Sequence, residues 1–130
     1  MRIGVLALQG AFTEHEKMLR QIGVECFQIR QLSDLDGGID GLVLPGGEST
    51  VMSRLLRDLG LYEPLKNAIL DGMPVLATCA GAILLAQEVD EKIVAAEYGS
   101  QTVLSFHPEL TEDKRIHEYF AKRVQAFCSR

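Results

Sequence analysis

The chain has 130 residues, the size of one compact domain, with 47% hydrophobic and 24% charged residues. This composition is typical of a globular protein and excludes a disordered chain. The net charge of −5, without a basic run, disfavours a nucleic-acid binder. No apolar stretch reaches the roughly 20 residues of a membrane span, so we expect neither nucleic acid nor membrane as a partner.

The cysteines and the N-terminus indicate the compartment. Cys26, Cys79 and Cys128 are odd in number and widely spaced, without a C-x-x-C pair, which argues against a disulfide framework and against a zinc site. The N-terminal apolar stretch ends at Leu8 and lacks a full signal h-region and a cleavage site. We therefore expect a cytoplasmic protein.

Short aliphatic runs alternate with segments of helical periodicity along the chain. Thr13 and Glu16 fit a capping box at the start of the first helix, and Gly23 follows its end. The predicted elements, in chain order, are strand 3–8, helix 13–22, strands 24–29 and 41–44, helices 49–59 and 62–70, strand 74–78, helix 81–87, strands 92–97 and 102–106, and a helix from about 113.

This alternation predicts an α/β fold with a mostly parallel sheet and helices on both faces. The last two strands flank residues 98–101 and are typical of an antiparallel hairpin. Ligands bind at the carboxyl ends of the strands in such sheets. Four segments directly follow predicted strands and are therefore candidates for the site: 9–10, 45–48, 79–81 and 107–109.

Cys79 stands between a predicted strand and a predicted helix. This is the position of the catalytic residue in a nucleophile elbow, a tight turn that joins a strand to a helix. Small neighbours, Ala80 and Gly81 among them, permit the tight turn that exposes the sulfur. A helix N-terminus lowers the pKa of a thiol and makes thiolate available. The alternative is a small buried core residue, which is the interpretation we favour for Cys26 and Cys128.

His107 and Glu109 lie two positions apart, separated by a proline that favours extended backbone at His107. Side chains at i and i+2 of an extended segment point the same way, so Glu109 can orient the imidazole. The alternative is an ordinary loop. We expect His15 and His117 to lie on solvated helix faces, because charged residues flank both.

The segment Pro45-Gly46-Gly47-Glu48-Ser49-Thr50 is a glycine turn that leads into a helix. Glycines let backbone N–H groups approach a ligand, as a phosphate site or an oxyanion hole requires. The Gly-Lys-Ser/Thr of a phosphate loop is missing, and the Glu48 carboxylate would repel phosphate. A neutral or zwitterionic substrate fits better, and a simple turn capped by Ser49 is the alternative.

Together these motifs resemble the class I (triad) glutamine amidotransferase family, most closely the glutaminases that serve pyridoxal 5′-phosphate synthesis. The resemblance runs over residues 1 to about 88 and from about 92 to the end. It rests on five segments in order: Leu6-Ala7-Leu8-Gln9-Gly10-Ala11, the 45–50 turn, Thr78-Cys79-Ala80-Gly81, Phe106-His107-Pro108-Glu109-Leu110 and Arg115-Ile116-His117-Glu118-Tyr119-Phe120.

The resemblance implies a single glutaminase domain over 1–130 with a flavodoxin-like fold, and an enzyme that hydrolyses L-glutamine without metal or cofactor. It implies a catalytic triad of Cys79, His107 and Glu109. The remaining implied roles are an oxyanion hole from Gly47, Ala80 and Gln9, and glutamine binding by Gly47, Glu48 and Ser49. The implied partner is the barrel subunit of pyridoxal 5′-phosphate synthase, which receives the ammonia.

The chain departs from the family pattern at two places. Ala77 stands where the family usually has glycine, which is a mild change. Only 27 residues, 80–106, separate Cys79 from His107, where the family has a much longer stretch that includes an arginine resembling a carboxylate anchor. Either the chain carries a deletion near residues 88–92 or the sequence omits a segment there. The short interval leaves open a catalytically impaired binding subunit, and a glutaminase of another biosynthetic pathway is the other alternative.

Overall fold

The computed structural model describes residues 1–45, 49–78, 95–98, 101–104 and 114–130, which we call the described residues. For residues 49–50, 95–98 and 101–104 it describes the backbone alone. The predicted helix 81–87 lies outside these ranges. Helices and strands within them follow the predicted order closely.

Within the described residues, six strands form one sheet: β1 Ile3–Leu6, β2 Cys26–Ile29, β3 Gly41–Leu44, β4 Val75–Thr78, β5 Ala95–Tyr98 and β6 Gln101–Leu104. The helices are α1 Phe12–Gln21, α2 Ser49–Asp58, α3 Tyr62–Leu70 and α4 Arg115–Cys128. None of them is long and apolar enough to cross a membrane.

The strand order is β2-β1-β3-β4-β6-β5. Every neighbouring pair from β2 to β6 runs parallel, and β5 pairs antiparallel with β6. The predicted parallel sheet is confirmed. Residues 99–100, which would join β5 to β6, lie outside the described residues, so the hairpin turn stays a prediction.

Two apolar cores cover the two faces of the sheet, because successive residues of a strand point to opposite sides. Leu42, Leu44 and Val75 belong to the core on the side of α2 and α3. Val43 and Leu76 belong to the core that contains Leu19 of α1 and the α4 residues Phe120 and Val124. The predicted helix layers on both faces are therefore confirmed.

Gly41 of β3 lies directly against α4. A Cβ atom built there would lie 2.6 Å from Cγ2 of Val124 and 3.3 Å from Cζ of Phe120. Both side chains are fully buried. Because Gly41 has no side chain, Phe120 and Val124 of α4 can pack closely against β3.

We expect Gly41→Ala to lower the free energy of unfolding by about 1–3 kcal/mol, because overpacked cores must shift their neighbours. The β-branched Val124 has little rotamer freedom in a helix with which to yield. Urea denaturation measures the change. In a Val124→Ala background only the 3.3 Å contact with Phe120 remains, so Gly41→Ala should then cost much less. Equal losses in both backgrounds would contradict this account.

Two local features differ from the sequence prediction. The capping box of Thr13 and Glu16 is wrong: α1 begins at Phe12 with Ala11 as its N-cap and no side-chain cap hydrogen bond. Thr13 thus lies inside the helix, and Glu16 is buried and paired with Arg20 at 3.4 Å. A 3-10 turn at Leu32–Leu35, where Asp34 and Gln31 form a capping box, was not predicted.

Candidate functional site

The carboxyl ends of the parallel strands define the candidate site. Thr78, the last residue of β4, pairs with Leu104, the last residue of β6, and Leu44 at the end of β3 pairs with Ala77. The chain therefore leaves β3, β4 and β6 at one edge of the sheet, with adjacent strands about 4.8 Å apart. This is the edge where α/β sheets bind ligands.

Most predicted site residues lie outside the described residues, namely Gly47, Glu48, Cys79, Ala80, His107 and Glu109. Ser49 begins α2, but its side chain is not described. Gln9 is partly buried in the turn between β1 and α1, where Gly10 has a φ of 78°. A positive φ favours glycine, so Gly10 lets the chain turn there from β1 toward α1.

A buried polar chain lies beside this edge, and the sequence analysis did not predict it. Nδ1 of His15 on α1 lies 2.8 Å from Nε2 of His117 on α4. The other nitrogen of His15, Nε2, lies 3.3 Å from Oγ1 of Thr78. All three side chains have no exposed surface, so the predicted solvated faces of His15 and His117 are wrong.

The helical spacing explains why both imidazoles are buried. His15 lies one turn before Leu19, and His117 lies three and seven residues before Phe120 and Val124 on α4. Residues at these spacings share one face of a helix. The position of each histidine on its apolar stripe was the signal that could have revealed burial, and it outweighs the charge of the adjacent residues.

Burial also determines the charge of His117. Loss of solvation lowers its pKa from 6.5 to about 4, because a low-dielectric interior disfavours the imidazolium. The ring is therefore neutral at physiological pH. Its Nδ1 has no hydrogen-bond partner in the described part of the chain.

The two described cysteines lack the surroundings of a nucleophile. Burial raises the pKa of the Cys26 thiol, with a smaller opposing effect of Arg20. Loss of solvation and the Asp40 carboxylate raise the pKa of Cys128. Both thiols are thus biased toward the protonated, unreactive form. In the described ranges, no group of three or more His, Cys, Asp or Glu residues could hold a metal ion.

Sequence comparisons relate this chain to known proteins. Residues 5–96 match the model of the SNO glutamine amidotransferase family. A protein of Methanocorpusculum labreanum named pyridoxal 5′-phosphate synthase subunit PdxT is 43% identical, with 95% of this chain and 98% of the relative covered. The proteins of the same name from Desulfitobacterium hafniense and Streptococcus pneumoniae are 38% and 37% identical, covering 95% and 92% of this chain and 94% and 95% of theirs.

The alignment with the Methanocorpusculum relative spans 185 positions, whereas this chain has 130 residues. The relative therefore contains internal residues that have no counterpart here.

Solved structures agree on the architecture. The crystal structure of a glutamine amidotransferase superposes with a TM-score of 0.82 at 26% identity, covering 95% of this chain and 98% of its own. Drosophila melanogaster DJ-1beta superposes with a TM-score of 0.67 at 19% identity, covering 98% and 95%. The second likeness shows the fold alone. Both support the predicted flavodoxin-like arrangement.

Proposed function

Because this chain belongs to the SNO glutamine amidotransferase family, we propose that it hydrolyses the side-chain amide of L-glutamine with Cys79 as the nucleophile. The observation that carries this proposal is the parallel pairing of Thr78 with Leu104. Cys79 directly follows Thr78, and His107 follows Leu104 by three residues, or about 10 Å of extended chain. An imidazole within that reach of the sulfur is what a Cys–His pair requires.

In the proposed reaction the Cys79 thiolate attacks the carboxamide carbon and forms a tetrahedral intermediate. Backbone N–H groups of Ala80 and Gly47 stabilise the oxyanion, and one such donor is worth about 3 kcal/mol. The C–N bond then breaks as His107 donates a proton to the leaving nitrogen, which departs as ammonia. A thioester on Cys79 remains.

The second half of the reaction reverses the role of His107, which takes a proton from water as that water attacks the thioester. Glutamate leaves and the thiolate is restored. Glu109 holds the imidazole in the required tautomer. Gly47, Glu48 and Ser49 bind the glutamine, and Gln9 supports the oxyanion turn from the neighbouring end of β1.

The ammonia has a proposed destination, since the relatives are named subunits of a pyridoxal 5′-phosphate synthase. We propose that the barrel subunit of such a synthase docks at the carboxyl edge and receives the ammonia directly. Free ammonia is mostly protonated at neutral pH, and the ammonium ion is not a nucleophile. Direct transfer would therefore preserve its reactivity. The odd, widely spaced cysteines favour the cytoplasm as the compartment.

A second candidate function is a single-domain binding subunit that docks on the synthase without turnover. The 27-residue interval between Cys79 and His107 favours it, as does the greater length of the alignment with the relative. We place the missing segment near residues 88–92. If it contains the anchor for the glutamine carboxylate, glutamine binding is weakened while docking persists.

Ammonia release from L-glutamine, measured with and without a synthase subunit, separates these two functions. Catalysis predicts release that increases when the subunit is added. Co-sedimentation of the two proteins without ammonia release would support the binding subunit and contradict the glutaminase.

A glutamine-analogue electrophile should label Cys79 and spare Cys26 and Cys128, whose raised pKa values keep them protonated. Peptide mass spectrometry after brief exposure identifies the labelled residue. Excess glutamine should protect Cys79 from the reagent. Equal labelling of all three cysteines, or no protection, would count against Cys79 as the nucleophile.

A further inference from the structure

The buried chain Thr78–His15–His117 ends on the residue that precedes the proposed nucleophile. Two imidazoles and a hydroxyl are fully buried on the side of the sheet that carries the apolar core of Leu19 and Phe120. Buried polar groups are costly unless they are hydrogen-bonded, and a pure packing role would be served by apolar residues of similar size. The chain also joins three elements distant in sequence: α1, β4 and α4.

The hydrogen-bond partners determine which way each N–H points along the series Thr78–His15–His117. A neutral imidazole carries one N–H, and Nδ1 of His117 has no acceptor in the described part of the chain. An orphaned buried N–H is rarer than an unused acceptor, so the proton of His117 belongs on Nε2, where it is donated to Nδ1 of His15. Because Nδ1 of His15 accepts this proton, the N–H of His15 lies on Nε2, from which it is donated to Oγ1 of Thr78.

We propose that His15 is a positioning residue that, held by His117, fixes the Thr78 side chain and thereby the point at which Cys79 leaves the sheet. This inference rests on the proposed function, because it takes Cys79 as the reacting group. Thr78 is the last residue of β4, where its backbone pairs with Leu104 of β6 and its side chain contacts His15. A side-chain anchor at this position limits how far the end of β4 can shift, and with it the backbone to which Cys79 is joined.

The chemistry favours such an anchor. Displacement of a reacting group by about 1 Å can lower a rate about 100-fold, because the geometry of attack is lost. Displacement of the nucleophile affects the chemical step more than the binding of glutamine. A positioning role therefore predicts a lower kcat with little change in KM.

Two substitutions at His15 test the proposal, because each keeps one of the two hydrogen bonds to His117 and Thr78 and gives up the other. His15→Asn places an amide oxygen near the position of Nδ1, where it can accept from His117, but leaves Thr78 without its donor. His15→Gln places an amide N–H near the position of Nε2, where it can donate to Thr78, but gives up the His117 contact. Both variants lose one buried hydrogen bond, so a merely structural role predicts similar effects of both on stability and on rate.

We expect the rate of Cys79 alkylation by iodoacetamide, measured by mass spectrometry, to fall about 10-fold or more in His15→Asn. It should stay close to wild type in His15→Gln. Ammonia release should follow the same order in kcat, with KM for glutamine unchanged. In a Thr78→Val background, which removes the hydroxyl, the two variants should alkylate at the same rate.

The outcomes separate this inference from the proposed function. Alkylation that is equal in both variants, or slowed in proportion to their loss of stability, overturns the role of His15. A wild-type chain that releases no ammonia while His15→Asn still slows alkylation selectively overturns the glutaminase and leaves the positioning role standing. A difference between the variants that persists in Thr78→Val overturns the route through Thr78.

Discussion

Cys79→Ala should abolish ammonia release from glutamine, with a loss in kcat of about 10⁴-fold or more, as removal of a covalent nucleophile does in other hydrolases. Alanine cannot form the thioester, and His107 then has no thiol to activate. Binding of the synthase subunit should be unaffected, because the substitution removes a single sulfur. Ammonia release and co-sedimentation are measured on the same preparation.

Cys26→Ala and Cys128→Ala are matched controls, since neither residue belongs to the proposed machinery and both thiols have raised pKa values. Both should keep wild-type turnover. If Cys79→Ala retained turnover, or if one of the controls lost it without loss of stability, a different residue would have to be the nucleophile.

Acidification should destabilise the protein through His117 between pH 6.5 and about pH 4. Burial lowers its folded-state pKa to about 4, while the unfolded chain binds the proton near pH 6.5. The unfolded state thus holds more protons in this window, so stability is full above pH 6.5 and falls as the pH decreases. At 1.36 kcal/mol per pKa unit, this group removes about 3 kcal/mol by pH 4.

Urea denaturation of wild type and His117→Gln across this pH range measures the effect. Glutamine keeps a donor for His15 and does not titrate, so every other titrating group contributes to both curves. Wild type should lose stability relative to His117→Gln as the pH falls, by up to about 3 kcal/mol. A constant difference across the range would show that His117 does not titrate in the buried state.

The parallel core of the fold could be predicted because its strands are buried on both faces. A segment such as Gly41–Leu44 has no polar face to expose, and this pattern alone is typical of a strand covered by helices on both sides. The helix 49–59 was predicted for the complementary reason, a single apolar stripe. Strand ends were less predictable: β1 ends at Leu6 rather than Leu8.

Pairing between distant strands could not be predicted from local patterns. Nothing in residues 101–104 specifies that they pair with β4 rather than with an edge of the sheet, because register depends on contacts made only in the folded state. The proposed site depends on that pairing. The positions of Cys79 and His107 directly after predicted strands suggested a shared site, and the register of Thr78 with Leu104 supplies a physical reason to expect one.

The buried histidines show where local chemistry misled the prediction. The charged neighbours of His15 and His117 suggested solvated faces, yet adjacent residues of a helix point about 100° apart and say little about each other's burial. Two polar rings can share an apolar layer because they hydrogen-bond to each other. This hydrogen bond joins residues 102 positions apart, so it cannot be predicted from a short segment of the sequence.

The meeting of α1 with α4 on one face of the sheet has a consequence for biosynthesis. Helix α1 is made within the first 21 residues, but its partner is complete only at Cys128. During translation, the apolar surface around Val5, Val43 and Leu76 therefore stays uncovered by α4 until most of the polypeptide has emerged. This half of the molecule therefore closes later in synthesis than the half around α2 and α3, which can begin to assemble on the nascent chain.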